Sequence, residues 1–483
     1  MIGSCDECSR VHDLEMEIAR LNEVIASLQE ELKESVRKNR MDSSNSSKPP
    51  SSDGYRKPKP VSLRERTGRS PGGQPGHKGH NMTIPHLPDN SVEHYPTECK
   101  GCPRFDECRS QSAFECSESR FVVDAVMLTT VTEHRRMDVI CPMAKDDDNK
   151  MSGSFPENVK AHVQYGDSFD VVAGLMDTYG AMSDYRISEL MRAFFGVTLS
   201  PGTVVFMTKR CAEKVGPALK GIREAIIESP VANFDESGAR TDGELGWVHT
   251  SSTDQFTYLT LSLKRGTIGI EENGVLPQFN GVAVHDCWSP YFGYENIRHA
   301  VCCAHILREL KGIESFEPDH RWPGMFEHLL LSMKSAKEYA QERGIDHLTD
   351  MGWDYYDWFY DFTLEMADKE CPPPPEPIVK RRGRRKKGKE RSLIERLDDL
   401  RDQITLFAKD FRVPFDNNQA ERDIRNVKTK VKVSGCFRSS EGAQDYLDIT
   451  SYLIIARKHK IRMVDAMRSA FDGNYDIIFR ITR

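Results

Sequence analysis

Gly281-Val282-Ala283-Val284-His285-Asp286 is a short apolar run that ends in a carboxylate, and Val231-Ala232-Asn233-Phe234-Asp235 has the same form. Such runs predict buried strands, so Asp235 and Asp286 are expected at two strand ends. A third acid, Glu421, lies in a polar, helix-like stretch. Two strand-end carboxylates and one on a helix can hold a pair of Mg²⁺ ions roughly 4 Å apart for attack at phosphorus. Taken singly, an acid after a strand is more often a turn or cap residue.

The segments around these acids predict an α/β fold with an RNase H-like core. Five β-rich runs are separated by turns, and a helical stretch at 305–313 follows the last; the runs are 231–235, 246–250, 256–263, 281–286 and 300–304. Two antiparallel strands after the first acid, then a crossover to the strand with the second, is how such a sheet is laid out. Asp235 and Asp286 are 51 residues apart, but Asp286 and Glu421 are 135 apart. We therefore expect a helical insertion before Glu421.

Composition and periodicity divide the rest of the 483 residues into several regions. Apolar residues at alternating spacings of three and four, from Val11 to Leu32, predict a coiled coil and self-association. The predicted regions are a coiled coil (1–40), a basic Ser/Pro/Gly-rich linker (41–90), a small zinc-binding module (91–150), a helical, helix-turn-helix-like DNA-binding region (151–230), the first part of the core (231–314), the helical insertion with a basic loop (315–400) and the last part of the core (401–483).

Cysteine spacing suggests one structural Zn²⁺ site. Cys99-x2-Cys102 is a half-site, because two thiolates on one tight turn can share a tetrahedral ion. Cys108 and Cys141 are the candidate partners. The alternative is a knuckle without metal. The 13 cysteines are spread over a long chain, which favours reduced thiols over a disulfide scaffold.

The net charge is −7, yet positive charge is clustered, as expected for a nucleic-acid partner. The strongest basic cluster would form a clamp on DNA; it consists of Lys380, Arg381, Arg382, Arg384, Arg385, Lys386 and Lys387. A solvated linker is the alternative. Arg425 and Lys428 recur at helical spacings from Glu421, and Arg422 adds charge nearby.

Two further helices could read DNA. The stretches 185–195 and 201–211 resemble a helix-turn-helix, with Ser200 as the cap of the second helix and Pro201 in its first turn. Plain helix packing is the more common explanation of such a pair. No apolar stretch is long enough to span a membrane, and the N-terminus has no signal-peptide core, so we expect no membrane association.

Several motifs in this order resemble the large transposase of the insertion sequence 66 family. They include Ser46-Ser47-Lys48-Pro49-Pro50-Ser51-Ser52-Asp53, Phe234-Asp235-Glu236-Ser237, Cys302-x-Ala304-His305-x2-Arg308-Glu309-Leu310 and Asn417-x3-Glu421-Arg422-x-Ile424-Arg425. The likeness covers nearly the whole chain. One departure is that the second Cys-x2-Cys pair is reduced to Cys141-Pro142.

This resemblance implies a DDE transposase that cuts DNA at the ends of its element and joins them to target DNA. Asp235, Asp286 and Glu421 would bind Mg²⁺ (or Mn²⁺). The implied partners are terminal inverted repeats, target DNA, a second copy of the chain and accessory proteins of the element. The implied location is the prokaryotic cytoplasm, on nucleoid DNA.

Some alternatives stay open at this point. The chain could be an RNase H-like nuclease or resolvase that does not join strands, or a non-catalytic, zinc-containing DNA-binding regulator. Spacing alone does not exclude Asp416 or Asp423 as the third acid. His285 and Trp288 flank Asp286 and could touch a DNA end, but a strand-end histidine and core packing are the more common readings. His305 could be a zinc ligand with Cys302 and Cys303, but we expect ordinary packing at a helix start.

Overall fold

The computed structural model describes residues 86–99, 101–111, 115–123, 127–140, 150–373 and 388–480, with isolated positions between residues 17 and 36. The predicted basic run at 380–387 and Cys141 lie outside the described residues. The chain divides into two compact units: Ser62–Gly153 with Ala193–Val197, and Met1–Val61 with Ser154–Arg192 and Thr198–Arg483. Within the described residues, no helix combines the length and the apolar character that a membrane crossing requires.

Between residues 86 and 160, the described residues form one short helix and two short strands. Helix α1 spans Phe105–Ser110, and strands β1 (Asp138–Ile140) and β2 (Lys150–Ser152) pair antiparallel. Near the N-terminus, five apolar residues of the predicted coiled coil lie in helical backbone with more than half of each side chain exposed; they are Ile18, Leu21, Ile25, Leu28 and Leu32. Self-association through them stays a prediction.

Three helices come before the main sheet: α2 (Asp167–Thr178), α3 (Asp184–Phe195) and α4 (Pro201–Ile227). The hydroxyl of Ser200 accepts a hydrogen bond from the backbone N–H of Thr203, which confirms Ser200 as the cap of α4. The predicted second helix ended near residue 211. In the structure α4 is 27 residues long, because its apolar stripe continues to Ile226 against the core.

The central sheet contains five strands, so all five predicted strands are present. Their bounds are β3 (Val231–Thr241), β4 (Glu244–Ser252), β5 (Thr257–Ser262), β6 (Val282–His285) and β7 (Arg298–Val301), with α5 (Thr267–Asn273) between β5 and β6. The strand order is β5-β4-β3-β6-β7. β4 pairs antiparallel with β3 and β5, whereas β6 pairs parallel with β3 and β7. The sheet is therefore mixed, with β3 at its centre.

Ten helices follow β7 within the described residues. They are α6 (Cys303–Phe316), α7 (Trp322–Glu342), α8 (Asp350–Glu370), α9 (Lys389–Asp399), α10 (Arg401–Lys409), α11 (Asn418–Asp423), α12 (Arg425–Ser434), α13 (Ser440–Lys458), α14 (Met463–Phe471) and α15 (Asp476–Phe479). The predicted strand at 300–304 ends at Val301, because α6 begins at Cys303. Helices α7 and α8 occupy much of the predicted insertion.

Helices cover both faces of the sheet. Successive side chains of a strand point to opposite faces, so neighbouring residues join different cores. Phe234 and Ala283 join a core with α4 and α13. Val282 and Val284 join a second core with α6 and α7. Asp235 and Asp286 alternate with Phe234 and His285, so both acids belong to the second face.

Candidate functional site

Asp286 directly follows β6, as predicted, but Asp235 lies inside β3 and not at its end, because β3 continues to Thr241 beside β4. Asn233 of β3 lies opposite Val284 of β6, and each acid follows two residues later. Residues two apart share a face of the sheet, so both carboxylates point to the same side. β6 ends at His285, whereas β3 continues beside β4. The two acids therefore meet where β6 leaves the sheet.

Asn417 attaches the helix of Glu421 to β3. Its side-chain Nδ2 donates to the carbonyl oxygen of Phe234 at 2.7 Å, and its Oδ1 accepts from Asn233 Nδ2 at 2.8 Å. The backbone N–H of Glu421 donates to the carbonyl of Asn417 at 3.3 Å, which is one helical turn. Residues four apart share a helix face, so Glu421 faces β3 near Asp235. Asn417 is buried, and sequence analysis noted it only as part of a motif.

The charges of the three acids act on one another. Burial raises the pKa of Asp235 to about 7; Lys428 opposes this rise, whereas Asp286 and Glu421 add to it. The charges of Asp286 and Glu421 therefore act on Asp235, which places both carboxylates in its surroundings. Lys428 is thus the predicted basic residue that the structure brings to the acids. A cation bound among the three carboxylates would relieve their repulsion.

Glu421 has few protein partners. Its Oε1 is buried and accepts no hydrogen bond from any described residue, and it lies 3.7 Å from His305 Nε2. Donor atoms of Cys302, His305 and Glu421 all fall within 4.8 Å of one another. Burial and Arg308 lower the pKa of His305, which favours the neutral imidazole. The expectation of plain packing for His305 missed this position beside Glu421.

The other two candidate acids are engaged elsewhere. Asp423 is buried; its Oδ2 accepts from the hydroxyls of Ser252 and Thr257 and lies 2.8 Å from Lys458 Nζ. Asp416 accepts from the backbone N–H of Asn418 at 3.0 Å, at the start of α11. Asp423 therefore has a structural role, whereas the buried Oε1 of Glu421 has no hydrogen-bond donor among the described residues.

Neighbouring residues hold Asp286 in place. The backbone N–H of Trp288 donates to Asp286 Oδ1 at 3.0 Å. His285 is fully buried, and its Nδ1 bonds the carbonyl oxygen of Asp286. Its Nε2 lies 2.8 Å from His299 Nδ1. Burial lowers the pKa of His285 to about 3, so this ring is neutral. His285 supports the strand end rather than pointing into the site.

The predicted DNA-binding residues near Glu421 do not share one continuous helix. The helix is interrupted at Ile424, which is the C-terminal cap of α11 and the N-terminal cap of α12. Lys428 acts on Asp235, whereas Arg422 and Arg425 are exposed. Arg422 donates to Gln419 Oε1 at 2.9 Å. The single basic helix face predicted from spacing is therefore divided between two short helices.

The predicted zinc ligands are only partly described. Cys102 N–H donates to the carbonyl oxygen of Cys99 at 3.0 Å, so these two cysteines do lie in one tight turn. No group of three metal-donor atoms in the described part of the chain includes Cys99, Cys102 or Cys108. Because Cys141 lies outside that part, zinc binding stays a prediction.

Comparison with known families gives two matches. A family model described as "Transposase IS66 family" matches residues 179–445, more than half of the chain. A second model, a family of unknown function (DUF6444), matches residues 6–83. The chain matches none of the curated proteins. The first match spans the sheet, the three acids and most of the helices around them.

Proposed function

The chain belongs to the IS66 family of transposases, as its motifs suggested, and from this premise we propose that it cuts and joins DNA by DDE chemistry at Asp235, Asp286 and Glu421. The observation that supports the proposal is the parallel pairing of β3 with β6: Asp235 and Asp286 each follow the last paired residue of their strand by two positions, and Asn417 joins the helix of Glu421 to β3.

The fold supports this proposal. The strand order β5-β4-β3-β6-β7, with β4 antiparallel and β6 and β7 parallel to β3, is the layout expected for an RNase H-like core. β3 carries Asp235, and Asp286 directly follows β6, its parallel neighbour. A long helical segment, α6 to α10, separates Asp286 from α11, in keeping with an insertion before the last acid.

The residues present suit divalent metal ions. Three carboxylates in one poorly solvated place, with one oxygen of Glu421 unpartnered among the described residues, form an oxygen donor set of the kind that Mg²⁺ or Mn²⁺ prefers. When bound, such ions would activate the attacking oxygen and offset charge on the leaving one.

The chain's own side chains would prepare the site for this chemistry. Asp235 lies within β3 and Asp286 directly after β6, and Trp288 N–H restrains one oxygen of Asp286. Asn417 fixes the orientation of α11, and so of Glu421. Lys428, close enough to influence Asp235, supplies positive charge for the DNA phosphates. His305 beside Glu421 can donate or accept a hydrogen bond.

Other parts of the chain would serve DNA binding and assembly. Residues 380–387, Arg422 and Arg425 would contact DNA through charge, with terminal inverted repeats and target DNA as the partners. The apolar stripe near residues 18–32 would join copies of the chain. Cys99 and Cys102 would bind zinc. The chain would act on nucleoid DNA together with accessory proteins of the element.

A strand-transfer assay tests the proposal. Purified chain is incubated with a pre-cleaved duplex from the element's terminus, a target plasmid and Mg²⁺ or Mn²⁺. Covalently joined products are expected from the wild type and from Glu244→Gln, an exposed acid on the same sheet. Asp235→Asn and Asp286→Asn should yield none. Cleavage without joining would favour a nuclease, and DNA binding without metal-dependent chemistry a regulator; either result would overturn the proposal.

A further inference from the structure

Three side chains from separate segments meet close to Asp286. Arg265 Cζ lies 4.2 Å from the ring centroid of Trp247 and 4.8 Å from that of Trp288. Trp247 belongs to β4, and Arg265 lies just after β5. Trp288 is two residues beyond Asp286. We call these three residues the Trp–Arg cluster.

The Trp–Arg cluster is hydrogen-bonded to Asp286 and to Glu236, the neighbour of Asp235. Glu236, the residue after Asp235, accepts from Arg265 Nε at 2.6 Å. Trp288 N–H donates to Asp286 Oδ1 at 3.0 Å. The side chain of Glu236 is only 8% exposed, whereas that of Arg265 is 51% exposed. The carboxylate therefore anchors Arg265 between the two indole rings, and about half of the Arg265 side chain stays exposed.

The segments around the Trp–Arg cluster expose both apolar and basic side chains, the bases being Arg240 and Lys264. Leu245, Leu263 and Ile268 belong to the same stretch of chain, and about half of each side chain is exposed. Gly238 lies opposite Trp247 in the β3–β4 pair, and the absence of a Cβ leaves room for Leu245 and Trp247. Glu236 offsets the charge of Arg265. Flat indole and guanidinium groups suit the stacking of a base.

We propose that the Trp–Arg cluster binds an unpaired nucleotide of the DNA strand next to the bond that is cut, by stacking on its base. This inference rests on the proposed function. Indole rings and guanidinium planes stack on any of the four bases, whereas a base within a duplex has both faces covered by its neighbours. Successive side chains of β3 alternate, so Glu236 points to the opposite face of the sheet from Asp235, and Trp288 N–H is what connects the cluster to Asp286. An unpaired base bound here would be held at the edge of the sheet where β6 ends.

The competing explanation is that the cluster only fastens the loop after β5 to the sheet. A fastening role predicts lower thermal stability in variants and equal effects on every DNA probe. A stacking role predicts a loss confined to DNA that offers an unpaired base. Trp247 is the better residue to change, because Trp288 is bonded to Asp286.

The test compares two DNA probes in a buffer without divalent metal: a blunt duplex, and the same duplex with a short single-stranded thymidine extension. Fluorescence anisotropy gives Kd for each. Trp247→Ala should raise Kd for the extended duplex about tenfold, since stacking contributes roughly 1–3 kcal/mol per base, and should change Kd for the blunt duplex less than about twofold. Trp247→Phe should retain most of the binding.

Trp358→Ala is the matched control, because Trp358 is an exposed indole on α8. It should change neither Kd. The dependence of Kd on salt should stay the same in Trp247→Ala, as no phosphate contact is lost. Equal loss on both probes, or no loss, would overturn the stacking site and leave the proposed function standing. A wild type that binds neither probe would overturn both.

Discussion

Glu421 and Asp423 lie two residues apart on α11, yet their carboxylates have opposite surroundings. Asp423 is paired with Lys458 at 2.8 Å and accepts two hydroxyl hydrogen bonds. Glu421 has one oxygen without a hydrogen-bond donor among the described residues and lies beside His305. A helix turns by about 100° per residue, so positions two apart point in nearly opposite directions. One acid is therefore structural and the other is available for chemistry.

This contrast predicts different losses in two matched variants. Glu421→Gln should reduce strand cleavage by roughly a thousandfold or more, with little change in the thermal midpoint, because it removes a proposed metal ligand. Asp423→Asn should lower the free energy of unfolding by about 3 kcal/mol, because Lys458 keeps a buried charge without its partner. Gel-based cleavage and thermal unfolding measure the two effects. Full cleavage by Glu421→Gln would remove Glu421 from the triad.

Asn417 provides a second prediction. Asn417→Ala removes two side-chain hydrogen bonds and leaves the buried Asn233 without its partner. The free energy of unfolding should therefore fall by about 1–3 kcal/mol. Cleavage should also slow, because α11 loses its attachment to β3. Asn417→Asp keeps the acceptor for Asn233 but places a buried carboxylate against the carbonyl oxygen of Phe234, so it should not restore the stability. Unchanged cleavage in a folded Asn417→Ala protein would show that Glu421 does not depend on this attachment.

Metal binding should stabilise the protein through the three acids. At about a hundred times its Kd, a divalent ion adds roughly 2.7 kcal/mol to the free energy of unfolding. We expect Mn²⁺ to raise the thermal midpoint of the wild type and of Glu244→Gln, and EDTA to reverse the rise. Asp235→Asn should show no such rise. An equal rise in Asp235→Asn would place the stabilising ion at another site.

Asp170, a buried acid in α2, predicts that the stability of the protein depends on pH. Burial raises the pKa of Asp170 to about 6, although Arg210 lies 2.7 Å away. A pKa raised in the folded state means that stability is fullest below the unfolded value of about 3.8 and is lost as pH rises to about 6. Asp170→Asn lacks this titration. Relative to the wild type, it should gain up to about 3 kcal/mol between pH 4 and pH 7, measured by urea unfolding. If Asp170→Asn instead lost stability relative to the wild type over that range, the ion pair with Arg210 would outweigh the cost of burying the Asp170 carboxylate.

The apolar stripe near residues 18–32 predicts that the chain self-associates. Ile18, Leu21, Ile25, Leu28 and Leu32 are helical and largely exposed, and a partner helix would bury them. Deleting residues 1–40 should therefore convert an oligomer into a monomer, as measured by light scattering. Exchanging Leu21 and Leu28 for Lys in the full chain should have the same effect. An unchanged mass in both variants would remove the coiled coil as the source of self-association.

Much of the core could be predicted from the sequence, because its signals are local. The apolar runs before Asp235 and Asp286 report burial along one strand, and the Ser200-Pro201 pair reports the start of one helix. The long interval before Glu421 indicated an insertion. Each inference depends only on neighbours in the chain, so periodicity and composition were sufficient for it.

The tertiary structure alone decided which side chains meet. Asn233 and Asn417 bond across 184 positions of the chain, and no local pattern contains that contact. The choice of Glu421 over Asp423, the position of His305 and the approach of Arg265 to two tryptophans all depend on how α11, α6 and the loop after β5 pack on the sheet. The sequence thus determined the elements and the candidate acids. Packing determined the site, because distances between segments far apart in the chain arise only when their apolar faces are buried together.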